Sequence, residues 1–220
     1  MNRSQQQQGQ QQGMRFGAHE FLATQESLRS KGADIELYGV LISQCQDAHL
    51  RDILTNQQRR MVQGYQQCLA VLSNQGFAPQ VPHTPQTNVY ESINIGLNNP
   101  QMPMPNPQVN RLSDRSIATI ALNLHKFGAI CCMNSALECA NPVLRQFHAT
   151  SANTCQEMAY ELFQFANYQG MYQVPQLADH TMQTMVQAFS APGYGGQGAR
   201  MQPHLQGQGY NSPMALNRNF

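Results

Sequence analysis

The segment Cys139-Ala140-Asn141-Pro142-Val143-Leu144-Arg145 constrains the fold more than any other, because its outline occurs twice. Asn-Pro stops one apolar helical pattern and can open the next, since proline suits a first helical turn but not an interior. A near echo, Cys45-Gln46-Asp47-Ala48-His49-Leu50-Arg51, stands 94 positions earlier. That offset pairs Cys45 with Cys139, Leu50 with Leu144 and Arg51 with Arg145. It also carries Gln75-Gly76 onto Gln169-Gly170, where the second helix of each pair should end. One helical hairpin present twice predicts a four-helix bundle.

Apolar periodicity supplies the four helices. The first, about 18–46, repeats Phe21, Leu28, Ile35 and Ile42 every seven residues, beside Tyr38, Leu41 and Cys45, with Gly32 as a weak point. The second, about 48–74, is capped by Asp47, carries Leu50, Leu54, Met61 and Cys68 beside Tyr65 and Leu72, and ends at Gly76. Ser113 or Asp114 can cap the third, about 113–140, whose stripe is Ile117, Ala121, Leu124, Gly128 and Cys131 with Ile120 and Phe127 alongside. The fourth, about 143–168, shows Leu144, Phe147, Ser151, Cys155, Met158, Leu162 and Phe165. Helices of about 25 residues are near 38 Å long, enough for a sizeable core.

Between the hairpins at 18–76 and 112–170, residues 77–111 hold Pro79, Pro82, Pro85, Pro100, Pro103, Pro105 and Pro107. They leave space for no helix beyond a short turn near Tyr90–Leu97. So long a connection suits a crossover along the bundle, as in ferritin-like folds. The expected fold is therefore all-α: a ferritin-like four-helix bundle over 17–190, with a short fifth helix at 175–190 that opens at Pro175 and carries Leu177, Met182, Met185, Val186 and Phe189. The Gln-rich head, 1–16, and the Gly/Gln/Met-rich tail, 191–220, are expected to be disordered.

Charged residues make up only 11% of the chain, against about a quarter ordinarily, and the net charge is +1. No long-range field would draw in nucleic acid or an anionic membrane, and weak repulsion favours self-association. No uninterrupted apolar run reaches the length of a membrane span, and a Gln-rich amino terminus predicts no secretory signal. Cys45, Cys68, Cys131, Cys132, Cys139 and Cys155 are then expected to be reduced. They form no CxxC pair, and Cys131 and Cys132 point to different faces, so no zinc site is expected.

Ferritin-like bundles often hold two metal ions on two Glu and two Glu-x-x-His motifs. Glu-x-x-His occurs nowhere here, and Asp52 is the only acid between Leu50 and Ser73, a segment without His. The remaining candidates are scattered. Asp47 and His49 lie at the first hairpin turn, as cap and exposed ring. Glu138 and His148 flank Asn141-Pro142 and could meet across it. His125 is expected at a helix boundary, His19-Glu20 at a helix start, and Glu157 and Glu161 on a solvated face, as are Arg59-Arg60. Cys155 and His148, seven apart, stand about 10 Å from each other on one helix, too far to hydrogen-bond. No phosphate loop is present. We expect no catalytic, cofactor-binding or metal residues, no cofactor and no small-molecule substrate. Material for assembly is plentiful: glutamines that can act as acyl donors, Tyr194 and Tyr210 for oxidative coupling, and any exposed Cys for disulfides. The only lysines are Lys31 and Lys126, so partners would supply most amines.

Asp114-Arg115-Ser116-Ile117-Ala118-Thr119, the Asn-Pro turn, Leu144-Arg145 and Gly170-Met171-Tyr172 resemble the coat F family of bacterial spore coat proteins. His19-Glu20 and the Pro- and Met-rich stretch at 100–107 fit the same family, and the likeness spans about 18–187. The resemblance implies a structural component of the endospore coat, made in the mother cell and packed with other coat proteins, with no established active site to carry over. The rival expectation is a ferritin-like metal-dependent oxidase, or a manganese catalase-type enzyme, with a non-standard site at Glu138/His148 or Glu157/Glu161.

Overall fold

A computed structural model describes residues 16–73, 92–101 and 103–189. The described residues form α1 (Ala18–Gln44), α2 (Ala48–Leu72), α3 (Asp114–Glu138), α4 (Pro142–Tyr168) and α5 (Asp179–Ala188). The first four belong to a unit of residues 1–176, and α5 to a separate unit of residues 177–220. Pro175 does not open α5, which instead begins with Asp179 in its first turn and ends at Ala188.

The hairpin turns are built from their own side chains. Asp47 Oδ1 accepts from the Leu50 amide (2.9 Å) and Ser113 Oγ from the Ser116 amide (3.2 Å). Asn141 Oδ1 accepts from the amides of Val143 (2.9 Å) and Leu144 (3.1 Å), with Pro142 in the first turn. These contacts satisfy amides that a helix start leaves orphaned. Gly170, at φ +68°, ends α4 with the Met171 amide on the Ala166 carbonyl (2.7 Å) and the Gly170 amide on the Asn167 carbonyl (3.0 Å). That is the Schellman pattern, which a glycine adopts without strain. Gly76, residues 1–15 and residues 190–220 lie outside the described residues, whereas Phe16, expected in the disordered head, is half-buried and stacks on Phe21 with ring centroids 6.4 Å apart.

Two carboxylates set the relation between the hairpins. Glu20 and Asp114 are themselves 94 positions apart, each in the first turn of its helix. Asp114 accepts from the Gln46 (2.8 Å) and Asp47 (3.1 Å) amides, in the turn between α1 and α2. Glu20 accepts from the Asn141 amide (2.8 Å), in the turn between α3 and α4, and from the Gly17 amide (2.6 Å) at its own helix start. Each hairpin thus holds the turn of the other, in an approximate two-fold arrangement. It makes α1 antiparallel to α3 and leaves α2 and α3 running the same way. The chain must therefore cross the length of the bundle between α2 and α3, the connectivity of ferritin-like folds. Where the crossover is described near its end, the only strand-like pairing among the described residues is a parallel bridge of Ile95 with Val174. Asn167 clamps this region, accepting from the Asn94 amide (2.8 Å) and donating to the Asn94 (3.0 Å) and Tyr172 (2.9 Å) carbonyls. The turn expected near Tyr90–Leu97 is irregular from Ser92 onward, and its earlier residues are outside the described ones.

The main core joins Tyr38 and Leu41 of α1, Leu50 and Leu54 of α2, Ile117 and Ala121 of α3, and Met158, Leu162 and Phe165 of α4. A smaller cluster at the other end unites Cys68, Val71, Leu144 and Phe147. All seven residues expected on the α4 stripe are buried. On α3 the expected face is wrong beyond Ala121. Leu124 and Gly128 are only half-buried, Cys131 is exposed, and Phe127 is 68% exposed. The buried face runs instead through Ala118, Leu122, His125, Cys132 and Ala136. The reason is composition: α3 is apolar nearly all round. An 18-residue window of it reaches a mean hydropathy of 1.3, long and apolar enough by length and composition to cross a bilayer. Here it is a bundle helix, and its outer side carries exposed Phe127, Ile130 and Leu137.

Candidate functional site

Polar side chains inside the bundle fall into two groups. The first takes one residue from each helix: Tyr38, Gln57, His125 and Glu161, all buried. Tyr38 donates its hydroxyl proton to Gln57 Oε1 (2.8 Å), and His125 Nε2 lies 2.5 Å from the Tyr38 hydroxyl and 3.1 Å from Gln57 Oε1. A carboxamide oxygen can only accept, so the proton is on His125 Nε2. Gln57 Nε2 in turn donates to Glu161 Oε2 (2.8 Å) and the Met158 carbonyl (3.1 Å). Burial, then the nearby Cys155, Glu161 and Asp34, pushes the Tyr38 phenol upward, keeping it a neutral donor.

The donor set does not fit the two-metal centre of ferritin-like enzymes. Only His125 and Glu161 are common ligands, and the group facing Glu161 is an amide N–H, itself a donor. Among the described residues no three His, Cys, Asp or Glu side chains converge as ligands. The hydrogen bonds tie four helices together instead, as a connected network can.

The second group surrounds a cavity of about 80 Å³ whose lining includes Lys31 and Asp34 of α1, Arg60 of α2, Cys132 of α3 and Ser151 and Cys155 of α4. The neighbouring Cys155 thiol does most to hold Cys132 low. Burial opposes the effect, while the His148 ring and the Lys31 charge add to it. Cys155 is pushed up, first by Cys132 and then by burial. His148 Nε2 lies 3.0 Å from the Thr24 hydroxyl, which itself donates to the Glu20 carbonyl (2.7 Å). Asp34 is raised by burial, against the lowering effect of Lys31.

Several expected placements change. Glu161 is fully buried rather than solvated, whereas Glu157 is half-buried. His125 is a core residue, not a boundary one, and Arg60 is half-buried at the cavity while Arg59 is exposed. Glu138 and His148 do not meet: Glu138 pairs with His19, and His148 turns to Thr24. Asp47 caps α2 as expected, but His49 is half-buried, stacked on Phe165 with centroids 6.1 Å apart. Glu20 is a buried cap rather than a dipole partner alone. Cys155 and His148 are indeed not direct partners; Cys132, from the neighbouring helix, interacts with both. The signal for His125 and Cys132 was their spacing of seven, hidden by the equally apolar stripe one residue back.

The residues that resemble coat F proteins have structural work of their own. Asp114 holds the first turn, Arg115 Nη1 donates to the Met171 carbonyl (3.0 Å), and Lys126 lies over the Tyr172 ring at 5.4 Å. The Coat F domain model matches residues 113–175, which contain all of these donors and ring contacts. Over 193 residues the chain is 28% identical to the spore coat protein F-like protein YhcQ of Bacillus subtilis (strain 168), covering 88% of this chain and 87% of that one. A crystal structure of a candidate spore coat protein from Bacillus halodurans C-125 superposes with a TM-score of 0.56 at 16% identity, covering 74% of this chain and 96% of the other. At that identity the likeness is one of fold, and it is the same helical bundle. Residues 113–175 of this chain are thus similar to the Coat F domain, and the chain as a whole is similar to spore coat proteins of the coat F type.

Proposed function

We propose that this protein is a structural component of the bacterial endospore coat, where it assembles with other coat proteins and performs no catalytic turnover. The Coat F match over residues 113–175 carries the reading. Two features of the bundle support it. Its mid-core residues Tyr38, Gln57, His125 and Glu161 are bonded to one another across all four helices. The α3 side carrying Phe127 (68% exposed), Ile130 (58%) and Leu137 (71%) gives neighbouring coat proteins an apolar surface, on a chain with little charge to repel them. The test is fractionation of mature spores. The chain should be found in the coat extract, and Phe127→Ser with Ile130→Ser and Leu137→Ser should weaken its retention without lowering its helix content. Its presence only in the spore core or the mother-cell supernatant would overturn the proposal.

A further inference from the structure

The cavity between the helices is lined by two thiols that a structural role leaves without a task. Cys132 and Cys155 come from different helices, are 5% and 7% exposed, and line the same cavity. Lys31 supplies a cation to the same cavity. His148 is fully buried, its Nε2 lies 3.0 Å from the Thr24 hydroxyl, and its ring acts on Cys132. Gly128 keeps the place open: a Cβ there would stand 3.1 Å from Cys155 Sγ. These side chains do not converge as metal ligands.

We propose that Cys132 and Cys155 form a reactive dithiol that reduces one small hydroperoxide per chain, with hydrogen peroxide as the fitting member of the class. The thiolate is the nucleophile in such chemistry, and the neighbours of Cys132 favour its thiolate while Cys155 keeps its proton. Size selects the oxidant, because about 80 Å³ holds a few water-sized molecules and excludes glutathione disulfide. Cys132 sulfur attacks one peroxide oxygen, the O–O bond breaks, and the departing hydroxide takes a proton from solvent to become water. Cys132 is then a sulfenic acid. Cys155 sulfur displaces its hydroxyl, which leaves as water with the Cys155 proton as the S–S bond forms. Two sulfurs each lose one electron, and the two peroxide oxygens gain them.

Cys131, exposed although it also lines this cavity, is a built-in control for accessibility without the buried pairing. Full-length reduced chain is treated with hydrogen peroxide and mapped by mass spectrometry. The expected product is a Cys132–Cys155 disulfide, formed several-fold faster than any oxidation of Cys131, with one peroxide consumed per chain in a Cys131→Ser background. Cys155→Ser should leave a sulfenic acid at Cys132 that dimedone traps, and Cys132→Ser should stop the consumption. Circular dichroism on each variant separates lost chemistry from lost fold, and Cys132→Ala serves as the second variant should the serine unfold the bundle. Oxidation of Cys131 ahead of an unmodified Cys132, or a persistent sulfenic acid in the unsubstituted chain, would overturn the dithiol. Oxidation by glutathione disulfide as fast as by peroxide would overturn the small-oxidant assignment.

Discussion

At the scale of single residues, burial decides what each side chain is worth. Leu54 is fully buried in the main core, so Leu54→Ala should cost about 2–5 kcal/mol in a urea titration. Leu124 is only half-buried, and Leu124→Ala should cost clearly less than Leu54→Ala. The thiols give a pH dependence of definite sign. Burial, first among the causes, pushes Cys45 and Cys68 up to about 12 from the ordinary 9.0. A raised folded value means that the protonated thiol is favoured in the fold. The stability this supplies is complete below pH 9, where the unfolded chain also keeps its protons, and is lost as pH rises toward 12. Melting temperature should therefore fall between these limits, and Cys45→Ala with Cys68→Ala should flatten that slope. A slope unchanged by the double variant would assign the alkaline loss to other groups.

At the scale of elements, the caps and the weak points act separately. Gly32 lies inside α1, and a Cβ added there would meet nothing within 4 Å. Gly32→Ala should then stabilise the protein by about 0.5–1 kcal/mol, through helix propensity and a less free unfolded chain. A loss of stability would show that this stretch of α1 has a neighbour in solution. The reciprocal caps are different, since Glu20 and Asp114 each bond the turn of the other hairpin. They give the two hairpins a fixed end-to-end register that apolar packing alone leaves soft.

For the whole molecule, the bundle and the chain ends have separate roles in the proposed reading. Residues 1–16 and 191–220 have few aliphatic side chains to offset about 1–2 kcal/mol of ordering entropy per residue. A chain of residues 16–190, which keeps Phe16 on the smaller core cluster, should melt at the same temperature as the full chain, yet wash out of spores more readily in detergent and reductant. Equal retention would move the whole assembly surface onto the bundle and its α3 stripe. A large drop in melting temperature would move the domain boundary instead.

The sequence alone determined the two hairpins, the Asp47 cap, the Asn141-Pro142 break, the Gly170 stop and the inward face of α4, and it narrowed the third cap to Ser113 or Asp114. All of these are written within a few residues, as a capping side chain three positions from its amide or an apolar stripe with polar flanks. Only the tertiary structure decided which side of α3 turns inward, because that helix is apolar on both sides and its neighbours make the choice. The same holds for Glu161 and His125, whose burial is tolerable only because Gln57 and Tyr38 arrive from other helices. The Tyr38–His125 contact spans 87 positions and the Gln57–Glu161 contact 104, and local patterning carries no trace of such partners. Cys132 and Cys155 likewise become a pair only where α3 and α4 close on one cavity, since their shared chemistry depends on contact rather than on spacing.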